Sequence, residues 1–511
     1  MTGRSIVGGA VGARGAWWTV LLAAALMAGC GGGGGGGGGG ATTATPSSPA
    51  TPSTPSTPST PTPVPTGTTV ELWLTTPDQA SLLAAQAALP LYSGAASGAT
   101  IAVDATQKFQ QMVGFGAAIT DASAYVLQHD MNAAQRDALL ADLFGPQGNR
   151  FGFTRLTLGA SDFSSAHYSY DDMPAGQTDP TLAGFSIDAA RQDVLPTARA
   201  ARALNPDLAV MATPWSPPGW MKTTDSLIKG TLRTDSYDAF ARYLAKTVQA
   251  FGAEGVTVDY LSIQNEPDFE PADYPGMKLS AQQRITLVGD YVGPALRAAG
   301  LQTQLLELDH NWDLSGQVLS VLGDAKAAGF IAGVAWHCYA GDVGAQSTVH
   351  DAYPSLGSFF TECVGGDWSP GFGDTLGYNI RTLMIGATRN WAQGVLLWNL
   401  ALDQHHGPHL GGCDNCRGVV TVDSTTGAVT KNAEFYALGH LSRFVQKGAR
   451  RIASTSGTGN VLSVDFENPD GTSVLLAYND NPTGTHVVVN TAAGNFSYRM
   501  PAQSAVTFRW R

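Results

Sequence analysis

Tyr260-Leu261-Ser262-Ile263-Gln264-Asn265-Glu266-Pro267 is a short apolar run that ends in polar residues, a carboxylate and a proline. Seven further runs follow the same plan: Met112 to Ala118, Phe153 to Leu158, Leu208 to Ala212, Gln304 to Leu308, Val334 to His337, Ser358 to Glu362 and Val395 to Trp398. Short apolar runs bounded by turn signals suit strands covered on both faces. The stretches between them read as helices. Phe240, Leu244, Val248 and Phe251 recur at spacings of four, four and three and so share one helical face. Ser280 with Gln283 three residues later is a capping box that opens another helix. Eight strands alternating with helices predict an α/β fold, a (β/α)₈ TIM barrel over residues 111–440.

Both ends of the chain differ in kind. Val461 to Glu467, Ser473 to Asn479, His486 to Asn490 and Ala505 to Trp510 are strand-like runs separated by Gly, Asn and Pro. Val70 to Leu74 and Thr100 to Val103 have the same character. Residues 68–110 are therefore expected to join residues 441–511 in a β-sandwich built from the N- and C-terminal segments. Ahead of them, Arg4 and Arg14 precede the apolar stretch Thr19 to Met27 and then Ala28-Gly29-Cys30. That stretch is too short to span a bilayer and reads as a signal peptide over residues 1–30. It resembles a bacterial lipoprotein signal, in which the cysteine, here Cys30, takes the lipid. Residues 31–67 hold ten consecutive glycines, Gly31 to Gly40, and then a Thr/Ser/Pro tract, a composition that makes a tether rather than a core. The sequence therefore predicts an exported protein that meets a membrane only through its lipid anchor. With 29 Lys and Arg against 41 Asp and Glu, a net charge of −12 and no long basic run, nucleic acid is excluded as a partner.

In a barrel of this kind, functional groups sit where the strands end at the carboxyl face. Two strand ends carry a glutamate: Glu266 after the fourth run and Glu362 after the seventh, in Phe359-Phe360-Thr361-Glu362-Cys363. A carboxylate closing an apolar run is costly to bury and needs a reason. Cleavage of a glycosidic bond supplies one, because it uses two carboxyl groups flanking the scissile bond. Asn265 beside Glu266 can hydrogen-bond a sugar hydroxyl next to that bond, which marks Glu266 as acid/base and leaves Glu362 as nucleophile.

The chain resembles glycoside hydrolase family 30, the family of glucosylceramidase. The matching stretches are Gly114-Phe115-Gly116-Ala117-Ala118-Ile119-Thr120-Asp121, Ala212-Thr213-Pro214-Trp215-Ser216-Pro217-Pro218-Gly219-Trp220-Met221-Lys222, Asn265-Glu266-Pro267, Phe360-Thr361-Glu362-Cys363 and Trp398-Asn399-Leu400-Ala401-Leu402-Asp403. The resemblance implies retention of configuration with the same two glutamates, no cofactor, and a sugar subsite lined by Asp121, Trp215, Asn265, Tyr339 and Trp398. Arg155 is expected to orient a carboxylate. His337 is expected either to bond near the nucleophile or to be a satisfied core histidine. Relatives act on glucosylceramide, β-1,6-glucan or β-xylosides. Trp215 and Asp121 suit a gluco-configured sugar, so a glucosylceramidase-type β-glucoside or glycolipid is the expected substrate, with an endo-β-1,6-glucanase or β-xylosidase as the alternative.

After the eighth run, His405, His406, His409, Cys413 and Cys416 crowd one loop with metal-ligand spacing. In an exported protein Cys413 and Cys416 can instead form a disulfide that staples the loop. The loop is expected to shape the substrate cleft; whether the two cysteines pair or bind metal is open at this point, and no metal is assigned. Two other rivals are a carbohydrate-binding surface protein without turnover and an inverting glycosidase.

Overall fold

The computed structural model of the chain describes residues 64–98 and 100–511. The signal sequence, Cys30 and nearly all of the linker lie outside the described residues.

All eight predicted strands form, and they close into one parallel barrel in chain order. They are β1 (Gly114–Ala117), β2 (Phe153–Thr157), β3 (Ala209–Thr213), β4 (Tyr260–Ser262), β5 (Gln304–Asn311), β6 (Ile331–His337), β7 (Gly357–Glu362) and β8 (Ala392–Leu397). Phe153, Met211, Leu306, Phe359 and Leu396 fill the interior. Closure between β8 and β1 needs a glycine, because a Cβ at Gly394 would stand 2.7 Å from the Phe153 ring. The expected helical face also forms. Phe240, Leu244, Val248 and Phe251 are buried along Tyr237–Ala253, and Ser280 with Gln283 makes the reciprocal capping bonds.

Pro65–Thr75 pairs antiparallel with Ala505–Trp510, from Glu71 opposite Arg509 to Thr75 opposite Ala505, so one sheet system uses both ends of the chain. Four of its strands, Ala84–Ala85, Leu89–Tyr92, Arg450–Ser454 and Gly494–Met500, were not expected from the sequence. Ile101–Gln111 also runs eight residues beyond the predicted Val103. Ile101–Gln111, Arg450–Ser454 and Gly494–Met500 mix polar with apolar residues, so an apolar run is a poor signal for them.

Asp465, on Val461–Glu467, is fully buried with neither carboxylate oxygen hydrogen-bonded, and burial pushes its pKa from 3.8 up to about 8. Its stabilising contribution is complete below about pH 4 and is lost as pH rises toward 8, because only the unfolded chain ionises freely. Asp465→Asn is therefore expected to gain on the wild type between pH 5 and pH 8, reaching about 1–3 kcal/mol. Thermal melts at the two pH values check this. Parallel pH dependences in the two proteins would remove Asp465 as the source.

Candidate active site

The carboxyl ends of β2, β4, β5, β6 and β7 converge on one buried charge cluster. Arg155 on β2 is fully buried and is its hub. Its guanidinium donates to Glu362 Oε2 at 2.5 Å and to Asp309 Oδ2 and Asn265 Oδ1 at 2.7 Å each. A planar fork that cannot lose its proton suits a site where several acceptors must be held in fixed directions. The expectation that Arg155 orients a carboxylate matches this geometry, and the carboxylates are two.

His337, at the end of β6, sits between acids. Its Nε2 lies 3.0 Å from Asp309 Oδ1 and its Nδ1 lies 3.2 Å from Glu266 Oε1, with Glu362 Oε1 at 3.9 Å. It is fully buried with both ring nitrogens bonded, and it bridges Asp309 to Glu266 beside Glu362. Burial opposes a charge on the ring, but Glu362, Asp309 and Glu266 outweigh it and lift its pKa to about 9. Across the neutral range the ring is imidazolium and donates from both nitrogens. One nitrogen within 3.2 and 3.9 Å of an oxygen on each glutamate caps the distance between those oxygens at about 7 Å.

The two glutamates differ in their surroundings. Burial works against ionising Glu266, but the His337 hydrogen bond and charge hold it below the usual glutamate range. Glu362 is pushed upward by burial, which the charges of His337 and Arg155 only partly offset. Tyr339 donates a further 2.9 Å bond to Glu362 Oε1 from a ring half-exposed at the mouth. The backbone contributes as well. Glu266 has φ of +48°, a left-handed conformation that a non-glycine residue holds only where its surroundings enforce it, and its N–H bonds the carbonyl of Asp309 at 3.0 Å.

Asp309, His310 and Asp162 were not singled out from the sequence. Burial alone would raise Asp309, yet Arg155 and His337 hold its carboxylate far below the usual range, helped by Ser262, Thr213 and Thr361 hydroxyls. His310 places Nδ1 3.5 Å from Glu266. Asp162 lines the cavity, and burial with the nearby Glu362 and Glu266 charges lifts its pKa to about 8. The one available signal was the acid-bearing run Leu306-Glu307-Leu308-Asp309-His310 in an otherwise apolar strand.

These groups open into a cavity of about 1030 Å³ lined by Glu266, Glu362, Asn265, Tyr339, Trp215 and Trp398 among others. The two tryptophans stack on each other with ring centroids 5.0 Å apart, and Arg155 lies 4.8 Å over Trp215. Both are buried, so much of their ring faces is taken up within the protein and they form a rigid floor. Asp121 is not among the residues lining the cavity. Its Oδ2 accepts from Ser164 at 2.6 Å and Tyr168 at 2.8 Å, while its buried Oδ1 has no partner, and burial raises its pKa to about 6.

Cys413 and Cys416 are joined in a disulfide, as are Cys338 and Cys363. Sulfurs bonded to each other offer no thiolate, so two of the five candidate zinc ligands in the loop are lost to that reading. His406 bonds the Cys416 carbonyl and Asp367, and His409 bonds the Gly411 carbonyl. Glu266, His310 and His337 do bring ligand atoms within 4.8 Å of one another. Within that group the His337 Nδ1 already faces Glu266 Oε1 at 3.2 Å.

A closed parallel barrel that aims two glutamates into a sugar-sized cleft, with a charged imidazole between them, has the equipment of a glycosidase. Comparison with known sequences agrees. Residues 112–445 match the glycosyl hydrolase family 30 TIM-barrel domain, and residues 448–508 match the glycosyl hydrolase family 30 beta sandwich domain. The chain belongs to glycosyl hydrolase family 30. It is 37% identical over 400 residues to an endo-1,6-beta-D-glucanase of Neurospora crassa, covering 76% of this chain and 80% of that protein. To the lysosomal acid glucosylceramidase of Mus musculus it is 26% identical over 443 residues, covering 81% and 84%. The solved structure of the endo-beta1,6-glucanase BT3312 superposes with a TM-score of 0.80 at 31% identity, covering 86% of this chain and 99% of that one.

Proposed function

We propose that the protein is a retaining endo-β-1,6-glucanase with Glu362 as nucleophile and Glu266 as acid/base. The observation that carries the chemistry is that both glutamates face one nitrogen of His337, Glu266 at 3.2 Å and Glu362 at 3.9 Å. The resulting ceiling of about 7 Å admits the roughly 5–5.5 Å of a retaining pair and leaves little of the roughly 6.5–9.5 Å range of an inverting one. Arg155 and Tyr339 favour the ionised Glu362 that must attack the anomeric carbon. His337, charged in the resting site, passes a proton across the 3.2 Å contact to Glu266, which protonates the departing oxygen. Water then enters beside Glu266, which takes a proton back and releases the sugar from Glu362 with its configuration retained.

The substrate reading departs from the expectation of a glucosylceramide-type bond. The relatives named endo-1,6-beta-D-glucanase stand at 34–37% identity and the lysosomal glucosylceramidase at 26%. A cavity of about 1030 Å³ also has room for more than one sugar. The export signal, Cys30 and the linker of residues 31–67 suit an enzyme tethered outside a membrane and facing a polymeric glycan.

The test is to offer the protein β-1,6-glucan, detergent-dispersed glucosylceramide and xylan, following product lengths by chromatography and anomeric form by proton NMR. Expected are oligosaccharides of mixed length from β-1,6-glucan, with the β-anomer appearing first. Preferential release of glucose from glucosylceramide would overturn the substrate, and an initial α-anomer would overturn the mechanism.

A further inference from the structure

Among the described residues, Phe269, Tyr339, Trp368 and Tyr378 are large aromatic side chains left 45%, 44%, 56% and 40% exposed, and all four line the active-site cavity. Aromatic faces left in water at one cleft cost solvation and call for a ligand with apolar faces. Tyr339 is accounted for by its bond to Glu362. The side chains of the others make no hydrogen bond to either glutamate, and they stand on two different walls. Phe269 follows β4, three residues beyond Glu266, whose carbonyl its N–H bonds at 2.9 Å. Trp368 and Tyr378 follow β7.

Trp368 is held by a built support. Gly365–Gly366 pairs antiparallel with Cys416–Arg417, and the Asp367 N–H bonds the Asn415 carbonyl at 3.0 Å. His406 reaches Asp367 at 3.2 Å, and the Cys413–Cys416 disulfide closes the loop beneath. The indole lies on Gly366 so closely that a Cβ there would stand 2.1 Å from the ring. The His- and Cys-rich loop after β8 thus has a use: it braces the segment that presents Trp368.

We propose that Trp368 and Phe269 form a sugar-stacking subsite on the leaving-group side of the cleft, which binds the glucosyl units of a β-1,6-glucan chain beyond the bond that is cut. The proposal rests on the glucanase reading above. The buried Trp215–Trp398 floor and the glutamates take the reacting sugar. Phe269, three residues after the residue that protonates the leaving oxygen, lies where the departing part of the chain begins. A pyranose presents a face of C–H groups that packs on an aromatic ring, and both rings are exposed to solvent.

The experiment compares wild type, Trp368→Ala, Trp368→Phe and Phe269→Ala on β-1,6-glucan and on β-glucosyl fluoride, whose leaving group is one atom and reaches neither ring. Expected is a loss of about 10- to 100-fold in kcat/KM on the glucan for each alanine variant, carried mainly by KM, with activity on the fluoride within about twofold and substantial recovery in Trp368→Phe. Equal activity of the alanine variants on the glucan overturns the subsite. An equal loss on both substrates also overturns it, since that would place the residues in the support of the reacting centre. If wild type cleaves the fluoride but not β-1,6-glucan, the glucanase reading fails instead.

Discussion

Glu362→Ala is expected to lose turnover by a factor on the order of 10⁴ or more, because no other group on that face of the sugar can form the covalent intermediate. The diagnostic result comes from adding azide with a β-glucoside bearing a good leaving group. Truncation leaves space on the α face, where azide can attack directly, so the product is the α-glucosyl azide. Glu266→Ala retains the nucleophile at Glu362. Azide then attacks the glycosyl-enzyme from the opposite face and gives the β-glucosyl azide. The two products differ in anomeric coupling by proton NMR, so one pair of reactions assigns both roles. A swap of the two products would exchange the assignments, which matters because burial pushes Glu362 up while His337 holds Glu266 down.

Arg155→Met is expected to be the most damaging change outside the two glutamates. The side chain is fully buried and neutralises Asp309 and Glu362 together. Its removal leaves three largely buried carboxylates, Asp309, Glu362 and Glu266, to the single charge of His337, at about 3–5 kcal/mol of stability by analogy with broken buried ion pairs. Activity should fall at least 10²-fold, because Glu362 loses the group that favours its ionised form. Adding Asp309→Asn to Arg155→Met removes one of the excess negative charges, so the double variant should regain part of the stability while remaining inactive. Urea unfolding and initial rates measured on the three variants separate these effects. An unchanged urea midpoint in Arg155→Met would show that Arg155 does not hold the cluster together.

Much of this architecture was legible in the chain. Eight apolar runs closed by polar residues announced the barrel, since a strand covered on both faces can hold few polar side chains. Glu266 and Glu362 stood out because each ends such a run. The sandwich strands Arg450–Ser454 and Gly494–Met500 were missed because they mix polar with apolar residues in short stretches. Asp309 was missed for a different reason. Glu307 and Asp309 are two residues apart and in a regular strand would share one face. Glu307 instead bonds Arg284, on the helix Ala281–Thr286, at 2.8 Å. A bulge in the pairing of β5 with β6, with φ of +73° at Leu308 and +59° at Asp309, turns Asp309 inward to Arg155.

The order of apolar and polar residues by itself determined the (β/α)₈ barrel, the pairing of the two chain ends in a sandwich, and the strand ends that carry the glutamates, because strand and helix periodicity are local properties of the chain. Only the tertiary structure decided that His337 bridges Asp309 to Glu266, that Trp215 and Trp398 stack on each other instead of standing open, and that Asp121 turns to Ser164 and Tyr168. Those outcomes depend on distances between residues tens to hundreds of positions apart and on how much water the surrounding protein excludes. The same exclusion makes each charge in the site answerable to its neighbours, so what an acid or a histidine does here is set by the fold around it.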